Sequence, residues 1–243
     1  MAGDWHVVGC RCDPYGVEHP ATGAMNWVVG YLNVHQPVDV SGICAFTHQG
    51  AGGHFWVTLC VRADLSGTQW EPSPISFPTS VGKAVADKLS EGNWTALGCY
   101  RGDFRSCGPT KPAHPDILMG VQTSSSQRQH KWAYERHEDD SAWLFDFIND
   151  HRPRDGSGVL GVMSRVGLEP YKLHVWCRSD KAAASWRRDD IEVTDDMEWS
   201  PMLRRRLRSR NRTWTPIGYH EGVVNNEGDS INYLIAVRRE RRT

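Results

Sequence analysis

Hydrophobic and polar positions along the chain alternate between two periods. "HFWVTLCVR" (54–62) is a near-continuous run of β-branched and aromatic residues, the pattern of a strand. In "PTSVGKAVADKLSEG" (78–92), Val81, Val85 and Leu89 recur at helical spacing, Thr79 or Ser80 can cap the start, and Gly92 can end it. "WTALGCYRG" (94–102) and "DILMGVQTS" (116–124) return to strand character. In "EDDSAWLFDFINDHRP" (138–153) acids precede a face of Trp143, Phe147 and Ile148, and Pro153 stops the chain, so a helix is predicted. "SGVLGVMSRV" (157–166) and "YKLHVWCRS" (171–179) predict a hairpin. "SPMLRRRLRSR" (200–210) reads as a short helix, and "TWTPIGYHEG" (213–222) and "NYLIAVRRE" (232–240) close the chain as strands. Earlier, "DWHVVGCRC" (4–12) and "MNWVVGYLNV" (25–34) also read as strands, and "HQGAGG" (48–53) as a flexible connection.

From His54 the predicted order is therefore β-α-β-β-α-β-β-α-β-β. Strands adjacent in sequence pair most simply as antiparallel neighbours. The expected fold is α+β: a curved, mainly antiparallel sheet backed by about three helices on one face, with the concave face open to a ligand. Residues 1–50 read as an N-terminal extension, partly β, packing on a main domain of 51–243. No internal repeat stands out in the sequence.

Composition narrows the function. The 243 residues are 39% hydrophobic and 23% charged, with a formal net charge of −1, so no global field draws the chain to nucleic acid or membrane. No apolar run of about 18 residues suggests a membrane span. Seven cysteines without framework spacing suggest reduced thiols and an intracellular, cytoplasmic setting. Eleven tryptophans exceed what a core of this size needs, leaving room for indole stacking on a planar ligand.

Several groups of residues compete as sites. Cys44 in "SGICAF" and His54 in "GGHFWV" look like peptidase fragments, but no third group is placed, and buried strand cysteines fit as well. Cys10, Cys12 and His19 lack the second pair that a zinc site needs. The acids at 138–140, 189–190 and 195–196 suit helix starts and loops. The basic run "RRRLRSRNR" (204–212) can touch RNA phosphates or simply face solvent. No cofactor motif is present. In the hairpin, Arg165 and Lys172 fall near the turn and form a local phosphate site, with Trp176 on the same face as Lys172.

With these elements in place, the chain resembles the cap-binding translation initiation factor family, 4E type. "FWVTLCVRADLSGTQWEP" is similar to that family's first strand and the loop ending in a cap-stacking Trp, here Trp70. "AWLFDFINDHRPRDGSGVLGVMSRV" resembles its second helix and the strand ending in a phosphate-binding Arg, here Arg165. Lys172 and Trp176 match the next strand's phosphate and base contacts, and "TPIGYHEG" resembles an Ile-Gly-Tyr segment near the cap-proximal loop. The loop "DFRSCGPTKPAHP" (103–115) carries neither the family's second stacking Trp nor its guanine-reading Glu, so Phe104 or Arg105 would supply the second plane. The resemblance implies binding of a methylated guanine cap, or a similar nucleotide or RNA 5′ end. It also implies a helical peptide of a scaffold protein docking near Val81, Val85, Leu144 and Ile148. Two alternatives stand beside it. One is an enzyme acting on a phosphorylated substrate with Lys131 and His130 or His137 as acid–base groups. The other is an interaction protein that has lost the ligand.

Overall fold

The computed structural model describes residues 4–12, 20–49, 55–76, 81–100, 117–124, 129–138, 142–164, 172–193, 199–208, 212–224 and 230–240. Its first part runs β1 (Trp5–Cys12), α1 (Pro20–His35), a 3-10 turn (Val40–Gly42), β2 (Ile43–Gln49), β3 (Phe55–Arg62), β4 (Trp70–Pro72), β5 (Ile75–Ser76), α2 (Val81–Ser90), β6 (Trp94–Tyr100) and β7 (Ile117–Thr123). The second part runs β8 (Trp132–Glu138), α3 (Ala142–His151), a 3-10 turn (Gly156–Gly158), β9 (Val159–Ser164), β10 (Lys172–Arg178), β11 (Ser185–Arg188), β12 (Ile191–Val193), α4 (Trp199–Leu207), β13 (Trp214–Val224) and β14 (Ser230–Glu240). The order of elements in the two parts is the same.

The pairing is the same too. β1-β3-β2 in the first half matches β8-β10-β9 in the second. In the first half β7 holds β4, β5 and β6, and in the second β14 holds β11, β12 and β13. All these pairs are antiparallel. A register shift falls between Ala96 and Gly98 in β6 and between Pro216 and Gly218 in β13. The chain is thus α+β with antiparallel sheets, as expected. Its strands form four sheets in two equivalent sets, with four α-helices among the described residues, rather than one curved sheet backed by three.

Side chains repeat where geometry is demanding. After α1, Asn33 accepts from the Trp70 backbone N–H (2.7 Å) and donates to its carbonyl (3.1 Å), and Trp70 Nε1 donates to Pro37 O (3.1 Å). After α3, Asn149 and Trp186 repeat this at 2.8 and 3.0 Å, and Trp186 Nε1 donates to Pro153 O at 3.1 Å. Gln36 and Arg152 end their helices at φ of 47° and 48°. Arg62 grips Asp64 and reaches Ser41 and Asp39, as Arg178 grips Asp180 and reaches Ser157 and Asp155. The molecule is a tandem duplication, and the expectation of no repeat is corrected.

The halves are not separate bodies. One core belongs to each half alone: Val28, Leu32, Leu59 and Trp70 in the first, and Leu144, Ile148, Val175 and Trp186 in the second. The other two cores are shared. α2 packs on β8 and α4 packs on β1. Val81, Val85 and Leu89 therefore meet Val162 and Trp176, while Leu203 and Leu207 meet Trp5, Phe46 and Cys60. Tyr134 lies flat on α2 at Gly82, where an added Cβ would stand 2.1 Å from the ring. The boundary expected at residue 50 falls between β2 and β3, which are paired with each other. "MNWVVGYLNV" is helix α1, because Met25, Val28 and Leu32 share one buried face at helical spacing.

Candidate functional site

The predicted hairpin is present: β9 and β10 pair with Lys172 opposite Ser164 and Trp176 opposite Leu160. Its face is not open. Trp176 is 0% exposed, lies under α2 and donates from Nε1 to Gly82 O at 2.9 Å. Trp70 is 1% exposed and sits in the first half's own core. Both indoles are occupied by protein and do not converge on one open pocket, so the stacking pair expected from the resemblance is not formed. Lys172 is half-buried at the start of β10, with Arg165, Phe104 and Arg105 outside the described residues. Val81, Val85, Leu144 and Ile148 are all buried, the first two in a core shared between halves and the others in the second half's core. They form no groove for a scaffold peptide.

Beside Trp176, His174 is buried, with Nδ1 3.0 Å from the Tyr134 hydroxyl. Burial, then the charges of Arg136 and Lys172, lower its pKa to about 4. The unfolded imidazole takes up its proton near pH 6.5, so stability is full above that pH and falls as pH drops toward 4. The loss is about 3 kcal/mol at and below pH 4. Urea melts from pH 7.5 to 4 are expected to show this decline, and His174→Gln should remove most of it; an equal decline in the variant would assign it elsewhere.

A polar opening lies where the halves face each other. A cavity of about 570 Å³ is lined by both 3-10 turns, by β2 and β9, and by 129–132, the segment leading into β8. The two halves contribute unequally to its wall. In the second half, Arg212 follows α4, donates from Nη1 to Ile43 O (2.9 Å) and from Nη2 to Thr215 Oγ1 (2.9 Å), and its own carbonyl accepts from Gly156 N–H (2.7 Å). The matching position after α2 is Gly92, at φ 79°, with no side chain to fill the equivalent space.

The walls are strongly polar. Arg178, 8% exposed, is matched by Asp180 and Asp155 at 2.8 and 3.4 Å. Asp180 also accepts from Arg154 N–H at 2.7 Å, and His130 Nδ1 stands 3.8 Å from its carboxylate. Lys131, Arg154 and Arg212 line the same space and form no ion pair among the described residues. Two of the lining residues carry a buried donor, Trp132 Nε1 and Arg212 Nε, with no acceptor among the described residues. A buried N–H left unmade costs about 1–3 kcal/mol, so native structures rarely leave one without an acceptor.

Of the residues singled out for acid–base chemistry, His130 and Lys131 line this cavity, while His137 lies elsewhere, stacked on Trp143 at 4.3 Å. Among the described residues no group of three metal-ligating side chains gathers, and His19 and His54 lie outside them. No described helix is long and apolar enough to cross a membrane. Trp132 was not distinguishable among eleven tryptophans, and Arg212 was hidden as the last member of the basic run 204–212, whose Arg204 and Arg205 face solvent. The chain matches no protein-family model, no curated protein and no solved structure.

Proposed function

We propose that the protein is a binding module whose ligand is a small anion, carrying a carboxylate or phosphate, held in the cavity between the two halves. The observation that carries this reading is Trp132: its buried Nε1 has no acceptor among the described residues, and the residue lines a cavity that also collects Lys131, Arg154 and Arg212. A carboxylate or phosphate oxygen supplies the missing acceptor and meets the surplus positive charge in one group. Hydrogen bonds to charged groups are worth about 1.5–3 kcal/mol, so removing one weakens binding about 10- to 100-fold.

Calorimetric titration of the full chain with orthophosphate, a dicarboxylate and a methylated guanine nucleotide tests the reading. Saturable binding of at least one is expected, weakened about 10- to 100-fold by Trp132→Phe and by Lys131→Ala with Arg154→Ala. Equal affinity in the variants, or no binding at millimolar anion, would mean that water alone fills the site. The nucleotide arm retains the cap-like ligand suggested by the family resemblance. It rests on the phosphates alone, because Trp70 and Trp176 offer no free face.

A further inference from the structure

The two halves also differ at one pair of facing strand residues. In the second half, β9 and β10 set Leu160 opposite Trp176, ordinary packing residues. In the first half, β2 and β3 set Cys44 directly opposite Cys60. Both thiols are buried and neither is in a disulfide. Facing residues of an antiparallel pair have Cα atoms about 4.5–5.5 Å apart, inside the range that a disulfide spans. The Cys44 and Cys60 side chains share one core cluster, and Arg212 bonds to the carbonyl of Ile43, the residue before Cys44. Cys44, 4% exposed, is among the residues that line the cavity between the halves, so a small solute entering there comes close to it. Cys60 is 0% exposed and lies behind it.

We propose that Cys44 and Cys60 form a redox-active dithiol, in which Cys44 reacts with a hydroperoxide entering through the cavity and Cys60 resolves the product. The Cys44 thiolate attacks the terminal peroxide oxygen. An S–O bond forms, the O–O bond breaks, and the departing hydroxide or alkoxide takes up a proton. The Cys60 sulfur then attacks the Cys44 sulfenic acid. An S–S bond forms, the S–O bond breaks, and water leaves with the Cys60 proton. Two thiols are oxidised and the peroxide bond is reduced. The roles follow from position and charge. The neighbouring Cys60, together with the Arg212 charge, holds the Cys44 thiol below its ordinary pKa, while Cys44 and burial push Cys60 up. The thiolate is the reactive form, so Cys44 attacks first. Cys177, also buried, is pushed up mainly by desolvation and serves as an inert control. This chemistry does not require the anion proposed for the cavity.

The test is hydrogen peroxide at one to ten equivalents on the reduced full-length protein, followed by alkylation and peptide mass analysis. A Cys44–Cys60 disulfide is expected, with Cys177 still a thiol. In Cys60→Ser, dimedone should trap a sulfenic acid at Cys44. Arg212→Met should slow its formation about tenfold or more by removing the neighbouring charge, with circular dichroism checking that each variant is folded. Oxidation at other sulfurs while Cys44 and Cys60 remain alkylatable thiols would overturn the proposal. So would dimedone labelling at Cys44 as fast in folded Arg212→Met as in the parent.

Discussion

Neither half of the chain is expected to fold as a monomer when expressed alone, because each half owns only one of the cores it needs. Residues 1–127 keep the core around Leu59 and Trp70, but α2 loses its cover from β8 and β1 loses α4. Val81, Val85 and Leu89 on one face, and Trp5, Val7 and Phe46 on the other, would be left in water. At roughly 1.5–3 kcal/mol for each large apolar side chain, the loss is on the order of 10 kcal/mol. That is comparable with the whole stability of an ordinary domain. The isolated half should therefore be unfolded or should pair with a second copy, α2 of one covering β1–β3 of the other. Mixing 1–127 with 128–243 should restore the parent's circular dichroism and a single 1:1 species in sedimentation. A folded, monomeric half with a cooperative melt would contradict the shared cores.

Trp176→Ala should destabilise the whole protein by about 3–5 kcal/mol, the cost of emptying a large buried aromatic site. Trp70→Ala should cost a similar amount, because it removes a core indole together with its bond to Pro37 O. Denaturant midpoints read this directly. If these indoles were instead open stacking platforms, truncation would leave stability nearly unchanged and remove ligand affinity. The two roles thus make opposite demands on the same two variants.

Much of the secondary structure was legible because one face of each element is buried. α2, α3 and the β9–β10 hairpin follow the spacing of Val81, Val85 and Leu89, of Leu144, Phe147 and Ile148, and of the apolar run through Val175. α1 was misread as a strand because Trp27, Val28, Val29 and Tyr31 are strand-favouring residue types, and tertiary burial of Met25, Val28 and Leu32 overrides that preference. The duplication was hidden for a physical reason. Core positions require only apolar volume, so Val28 became Leu144, Val57 became Leu173 and Val61 became Cys177 without breaking the fold. Identity survives where hydrogen-bond geometry admits one side chain: Asn33 and Asn149, Asp39 and Asp155, Arg62 and Arg178, Trp70 and Trp186. Those residues are thinly spread, and the spacing between blocks changes after β5, so no continuous match is visible.

The same comparison explains why the site was only half visible. His130 and Lys131 stood out as chemistry, but the wall they share also carries Gly92 where its counterpart is Arg212. That difference has meaning only once the two halves are superimposed in structure. Cys44, weighed as a peptidase fragment or a buried strand cysteine, is buried in β2, and only the register of β2 with β3 sets it against Cys60.

The most direct test of the functional reading is the indole N–H resonance of Trp132 in the nitrogen-labelled protein. On addition of orthophosphate or a dicarboxylate it should shift saturably as Nε1 gains an acceptor, while the Trp70 and Trp176 indole signals, already bonded to Pro37 O and Gly82 O, stay in place. A Trp132 signal that does not move at millimolar anion, or that moves only together with every other indole, would contradict an anion held in the cavity between the halves.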